Sequence, residues 1–248
     1  MKVVLVHGFT QTAASWGPVA DALSDSFDVE TVDLPGHGAR GADRPTSFEE
    51  VAADLGDRCG EAAYVGYSLG GRLVLRLALD RPEVVRAAVL IGASPGIDDP
   101  VQRALRTDAD DELATRIEEV GTAAFLDAWL AQPLFATLPA EVAGLADRLD
   151  NEPEGLAAAL RVLGTGAQVP VWDRLAGLAP PTLLIAGALD EKFAVLAGSM
   201  SDATGPHVIP AVVDDAGHAV QLEKPATVAG LVADFLGAVE SSETDGRS

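Results

Sequence analysis

The sequence predicts an α/β fold in which helices flank a mostly parallel sheet and a helical insertion interrupts the alternation. Three observations carry this. Short β-branched runs alternate with longer helical patterns, as strands joined by crossover helices require. The strand runs are nearly continuous in apolar residues, which marks strands covered on both faces. Between about Ile97 and Val169 no convincing strand occurs, and the helical pattern breaks at Gly121, Pro133, Pro139 and Pro153. With 48% hydrophobic residues in 248 and a mean hydropathy of +0.20, the chain can bury a sizeable core.

Taken in order, strands are expected at Lys2–Val6, Asp28–Asp33, Ala62–Tyr67, Ala87–Ile91, Thr182–Ala186 and His207–Val213. Helices between them include Ser15–Leu23, Ser47–Cys59, Gly70–Asp80 and Ala226–Val239. Thr46 or Ser47 can cap the second helix, whose first turn carries Glu49 and Glu50 near the positive end of its dipole. Arg81-Pro82 ends the third. Residues 1–96 and 170–240 then form the core and 97–169 a helical cap. The polar tail 241–248 is expected to be disordered.

Charge narrows the function classes. Lys and Arg number 17 against 38 Asp and Glu, a formal charge of −21 spread along the whole chain. Such a field repels phosphate backbones and anionic headgroups, so neither nucleic acid nor a membrane is an expected partner. By type, 3 Lys stand beside 14 Arg, and 23 Asp beside 15 Glu. That bias resembles proteins of salt-saturated cytoplasms, where screening relieves self-repulsion; an acidic protein of a high-GC genome is the plainer account. The single Cys59 allows no internal disulfide and no Cys-based metal site. No cofactor is expected, since neither a P-loop nor a G-x-G-x-x-G fingerprint occurs and no cluster has ligand spacing. The apolar run Val3–Val6 is too short for a signal-peptide core, so a cytoplasmic location is expected, with a monomer as the default.

Chemistry concentrates at strand ends. Gly66-Tyr67-Ser68-Leu69-Gly70 follows a strand and opens a helix, the setting in which flanking glycines permit a strained turn that lifts Ser68 above the sheet edge. The Leu69 N–H then lies at a helix N-terminus and can stabilise an oxyanion. A second donor, Phe9, is offered by the loop His7-Gly8-Phe9-Thr10, in which His7 itself reads as structural. The acid and base should follow the serine in the order Ser, Asp or Glu, His. His218, just past the last strand, is the candidate base, and Asp190, after the preceding strand, the candidate acid. Asp214 and Asp215 lie too close before His218 and read as loop charges.

With Ser68, Asp190 and His218 in this order, the chain resembles the α/β-hydrolase superfamily, and Asp33-Leu34-Pro35-Gly36-His37-Gly38 looks like its structural D-x-P-G-H-G loop. A narrower resemblance is to the 2-succinyl-6-hydroxy-2,4-cyclohexadiene-1-carboxylate synthase family, MenH, of menaquinone biosynthesis. It rests on His7-Gly8-Phe9-Thr10-Gln11 with Trp16, Gly66 to Arg72, Ala93-Ser94-Pro95-Gly96-Ile97, Trp129 with Gln132-Pro133-Leu134-Phe135, and Gly187 to Phe193. That resemblance implies elimination of pyruvate from 2-succinyl-5-enolpyruvyl-6-hydroxy-3-cyclohexene-1-carboxylate, with the serine as base and no acyl-enzyme.

A tricarboxylate substrate gives the arginines meaning, because a chain of −21 must reverse its sign locally to hold one. Arg72 and Arg106 are the foremost carboxylate ligands on family grounds. Arg103, three residues from Arg106 and thus on one helical face, and Arg148 are further candidates. Tyr67 and Trp129 are expected to line the pocket. Two rivals stay open: a hydrolase of an ester, thioester or C–C bond through a covalent serine, and a non-catalytic binder of the same fold.

Overall fold

The computed structural model describes residues 1–245. Its six strands are β1 (Lys2–Val6), β2 (Asp28–Val32), β3 (Ala62–Tyr67), β4 (Val85–Ile91), β5 (Thr182–Gly187) and β6 (Val208–Val213). They form one sheet in the order β2-β1-β3-β4-β5-β6, with every neighbouring pair parallel. Strand ends differ from expectation by one or two residues. The four inner strands are buried on both faces. The edges differ: β2 buries only Val32, and β6 carries Pro210, which cannot donate to a further strand.

Because side chains alternate along a strand, β1 feeds two apolar layers. Val4 and Val6 face α2 (Phe48–Cys59) and α3 (Leu69–Asp80), packing with Leu55, Leu73 and Leu77. Val3 and Leu5 face α1 (Gly17–Leu23) and the closing helix, packing with Trp16, Val19, Val228, Val232 and Leu236. Ser47 caps α2 as expected, its hydroxyl accepting the Glu50 N–H at 3.1 Å.

Between β4 and β5 the chain forms helices and loops, with no strand among the described residues. α4 (Pro100–Leu130) is capped by Asp99, whose carboxylate accepts the N–H groups of Val101 and Gln102, and it breaks at Gly121, where φ is 76°. Short 3₁₀ turns begin after Gln132 and Pro139, followed by α5 (Leu145–Leu149) and α6 (Pro153–Leu163). All four expected breaks therefore fall at real ends or kinks. α4 and α6 enclose a small core of Ala114, Ile117, Phe125, Leu156 and Leu160, to which Phe9 of the sheet side adds its ring.

After β5 come α7 (Glu191–Thr204), α8 (Val220–Glu223) and α9 (Pro225–Asp245). α9 runs on into the tail expected to be disordered. The helix continues to Asp245, and within it the hydroxyls of Ser241 and Ser242 turn back onto the carbonyls of Gly237 and Val239. Residues 246–248 of that expectation lie outside the described residues. Among the described residues, no helix is long and apolar enough to cross a membrane.

Candidate active site

Ser68 sits between β3 and α3 at φ 50°, ψ −106°, a conformation a side-chain-bearing residue adopts only under constraint. The constraint is close packing. A Cβ on Gly66 would strike the backbone of Gly70, and one on Gly70 would strike the carbonyls of Val6 and His7. Two glycines thus let the turn pass tightly enough to present the hydroxyl above the sheet.

His218, in the loop before α8, aligns its ring between two partners. Its Nδ1 lies 2.7 Å from Asp190 Oδ2, and its Nε2 lies 3.4 Å from Ser68 Oγ. A carboxylate opposite Nδ1 fixes the proton there, which leaves Nε2 as the acceptor facing the serine. The ring is held by Phe193 (centroids 4.6 Å apart), Tyr67 (5.4 Å) and Phe135 (6.3 Å). Its loop is clamped by Glu223, whose carboxylate accepts the N–H groups of Gly217 and Ala219 on either side of the histidine. Asp214 and Asp215 take no part.

The backbone N–H groups of Phe9 and Leu69 have no hydrogen-bond partner among the described residues. The loop carrying Phe9 is fastened by two buried histidines. His7 Nε2 accepts from the Leu34 N–H at 3.1 Å, and its Nδ1 donates to the Gly8 carbonyl at 2.8 Å. His37 Nε2 accepts from the Thr10 N–H at 3.3 Å while its Nδ1 faces the Pro35 carbonyl. Burial holds both rings neutral, pulling His7 down to about 4 and His37 to about 3.

Above Ser68 opens a cavity of about 280 Å³ between the sheet and the cap. Tyr67, Ser68, Leu69, Phe9, Trp129 and His218 all contribute to its wall. So do four cations, Arg72, Arg106, Arg148 and Lys192, and no carboxylate side chain. Arg72 is buried and donates to the Leu163 and Gly164 carbonyls and to Gln168 Oε1; burial, then the nearby Arg106, pulls it down to about 10. Arg148 is 2% exposed and donates to the Ala143 carbonyl and Thr10 Oγ1, with burial lowering its pKa. Neither has a carboxylate partner among the described residues. Arg106 is held at 2.7 Å by the nearly buried Asp110, which also accepts the Gly166 N–H.

Arg103 departs from expectation. Its Nη1 turns back to the carbonyls of Ile97 and Asp98 (2.9 and 3.2 Å), and it takes no part in the cavity wall. The shared helical face with Arg106 was a sound inference about direction, but Arg103 stands in the first turn of α4, within reach of the chain entering it. Sequence reasoning in turn assigned no role to Lys192, Phe193 or Phe135, although each stood inside a quoted motif.

A strained serine after β3, an acid after β5 and a histidine after β6 on one parallel sheet constrain the protein class closely. The sequence model of the alpha/beta hydrolase family matches residues 3–231, and the chain belongs to that family. Within it, the chain is 33% identical to a putative 2-succinyl-6-hydroxy-2,4-cyclohexadiene-1-carboxylate synthase of Bacillus subtilis (strain 168), over 94% of this chain and 89% of that one. It is likewise 33% identical to the synthase of that name from Escherichia coli O1:K1, over 94% and 93% of the two chains. Among solved structures it resembles MenH from S. aureus, with a TM-score of 0.90 at 28% identity, covering 97% and 94%.

Proposed function

We propose that the protein is a carbon–oxygen lyase of menaquinone biosynthesis. It eliminates pyruvate from 2-succinyl-5-enolpyruvyl-6-hydroxy-3-cyclohexene-1-carboxylate to give 2-succinyl-6-hydroxy-2,4-cyclohexadiene-1-carboxylate. The observation that carries this reading is the cavity wall: four cations and no carboxylate, around Ser68, in a chain of −21. A substrate with three carboxylates needs that reversal, whereas a neutral ester does not. The similarity to synthases of this name over nearly the whole chain supports it.

In this mechanism His218 Nε2 takes the Ser68 proton as the hydroxyl becomes the base, and Asp190 steadies the imidazolium that forms. Ser68 Oγ removes a ring proton. The electrons of that C–H bond form one ring double bond, the existing ring double bond shifts by one position toward the carbon bearing the enolpyruvyl group, the C–O bond there breaks, and the leaving enolate takes the proton held by His218 to become pyruvate. The N–H groups of Phe9 and Leu69 stabilise the negative charge that develops as the ring proton departs. Arg72, Arg106 and Arg148 receive carboxylates; the direct partners of Arg72 and Arg148 within the protein are carbonyl, amide and hydroxyl oxygens rather than acids. Tyr67 and Trp129 shape the wall around the ring.

The test compares pyruvate release from the cyclohexene substrate with hydrolysis of p-nitrophenyl esters. Pyruvate release in the wild type, lost in Ser68→Ala, is expected. Fast ester turnover without pyruvate would replace the lyase by an ester hydrolase, and ligand binding with neither activity by a non-catalytic binder.

A further inference from the structure

Thr10 holds φ at 67°, in the left-handed region that a β-branched residue avoids, directly beside Phe9. Such a conformation persists only where its surroundings fix it, and each polar group of Thr10 is engaged. Its N–H donates to His37 Nε2, its hydroxyl accepts from Arg148 Nη1, and its carbonyl accepts from Asn151 Nδ2 at 2.9 Å. Two of these three partners belong to the cap.

Asn151 is the busier of the two. Its Oδ1 accepts the Gly38 N–H at 2.8 Å, and its Nδ2 also reaches the Arg148 carbonyl at 3.0 Å. Its own carbonyl accepts from Thr122 Oγ1 at 2.8 Å, just past the break in α4. At 3% exposure, this one amide joins the loop after β1, the loop after β2 and the cap. The side chain of Phe9 adds an apolar tie, packing edge-on against Trp129 with centroids 5.3 Å apart.

We propose that Asn151 is a positioning residue: by holding the Thr10 carbonyl it orients the Phe9 N–H toward the developing negative charge, so the cap completes the oxyanion site of the core. The inference rests on the elimination proposed above. An oxyanion donor acts only when fixed in advance, and a displacement of about 1 Å costs on the order of a hundredfold in rate. Asn151 touches no reacting atom, so its removal acts on turnover rather than on substrate affinity.

The discriminating variant is Asn151→Asp, assayed for pyruvate release in the full-length protein. It keeps an acceptor for the Gly38 N–H but sets a carboxylate oxygen where Nδ2 donated to Thr10. The expected result is a kcat lowered roughly 10- to 100-fold with KM little changed. Thr122→Val, which removes the neighbouring bond to the Asn151 carbonyl, should keep the wild-type kcat. Should Asn151→Asp fail to fold, Asn151→Ser, too short to reach Thr10, is read in the same way. A wild-type kcat in the Asn151 variant, a loss confined to KM, or an equal loss in Thr122→Val overturns the role of Asn151. Absence of pyruvate release from the wild type itself overturns the elimination and this inference with it.

Discussion

At the scale of single residues, the site separates groups by what neutralises them. Arg106 is held by Asp110 at 2.7 Å, whereas Arg72 and Arg148 are held by carbonyl, amide and hydroxyl oxygens; in the proposed elimination a substrate carboxylate shares Arg106 with Asp110. Arg106→Ala is expected to weaken substrate binding by about 1–3 kcal/mol, read as a raised KM, because a carboxylate loses a charge-assisted partner. An unchanged kcat/KM would remove Arg106 from the site. The histidine pair makes a second prediction. His7 and His37 ordinarily titrate near 6.5, but burial in the fold lowers them to about 4 and about 3. Below pH 6.5 the unfolded chain takes up protons that the folded chain refuses. The stabilisation is therefore full above pH 6.5 and is lost as pH falls toward 4 and 3. In His7→Gln the slope of unfolding free energy against pH in that window should be shallower by about 1.4 kcal/mol per pH unit, one proton's worth. Denaturant titrations at several pH values measure it, and parallel slopes in variant and wild type would contradict it.

At the scale of elements, the cap starts are where local chemistry decides stability. Asp99 accepts two N–H groups at the head of α4 and stands away from the cavity wall. Asp99→Ala should cost about 1 kcal/mol in a denaturant titration, while leaving kcat unaltered. Gly70→Ala should be far worse, because its Cβ meets the carbonyls of Val6, the last residue of β1, and of His7, and the elbow has nowhere to move. These elements also mark what sequence reading can reach. That Ser68, His218 and Asp190 meet at one edge of the sheet was legible because the signals are local: a turn between glycines, a histidine just after a strand, an acid just after another. The helix breaks were legible for the same reason, since Gly121 and the prolines act on their own backbone. Arg103 was misplaced because helical spacing gives direction but not the carbonyls a side chain finds first. Asn151 carried no signal at all; its partners Thr10 and Gly38 are more than a hundred residues away in sequence.

At the scale of the whole molecule, the charge of −21 is carried by a surface rich in Asp and paired arginines such as Arg76, Arg81 and Arg161. If the composition reflects a salt-rich host, the unfolding midpoint should rise steadily from low to molar KCl as screening relieves self-repulsion. A midpoint indifferent to KCl would assign the composition to the genome instead.

The cationic cavity wall has a kinetic consequence. A substrate with three carboxylates, as proposed above, would meet a protein of like net charge before it met Arg72, Arg106, Arg148 or Lys192. Enzymes of charged substrates usually draw them in and lose encounter rate as ions are added. For the proposed substrate the order would be inverted: the net charge of the chain repels it and the cations of the cavity wall attract it. Moderate salt, with a Debye length near 10 Å at about 0.1 M, mutes the distant shell more than the enclosed guanidinium groups. Capture should thus quicken before it slows, and kcat/KM should pass through a maximum as ionic strength increases.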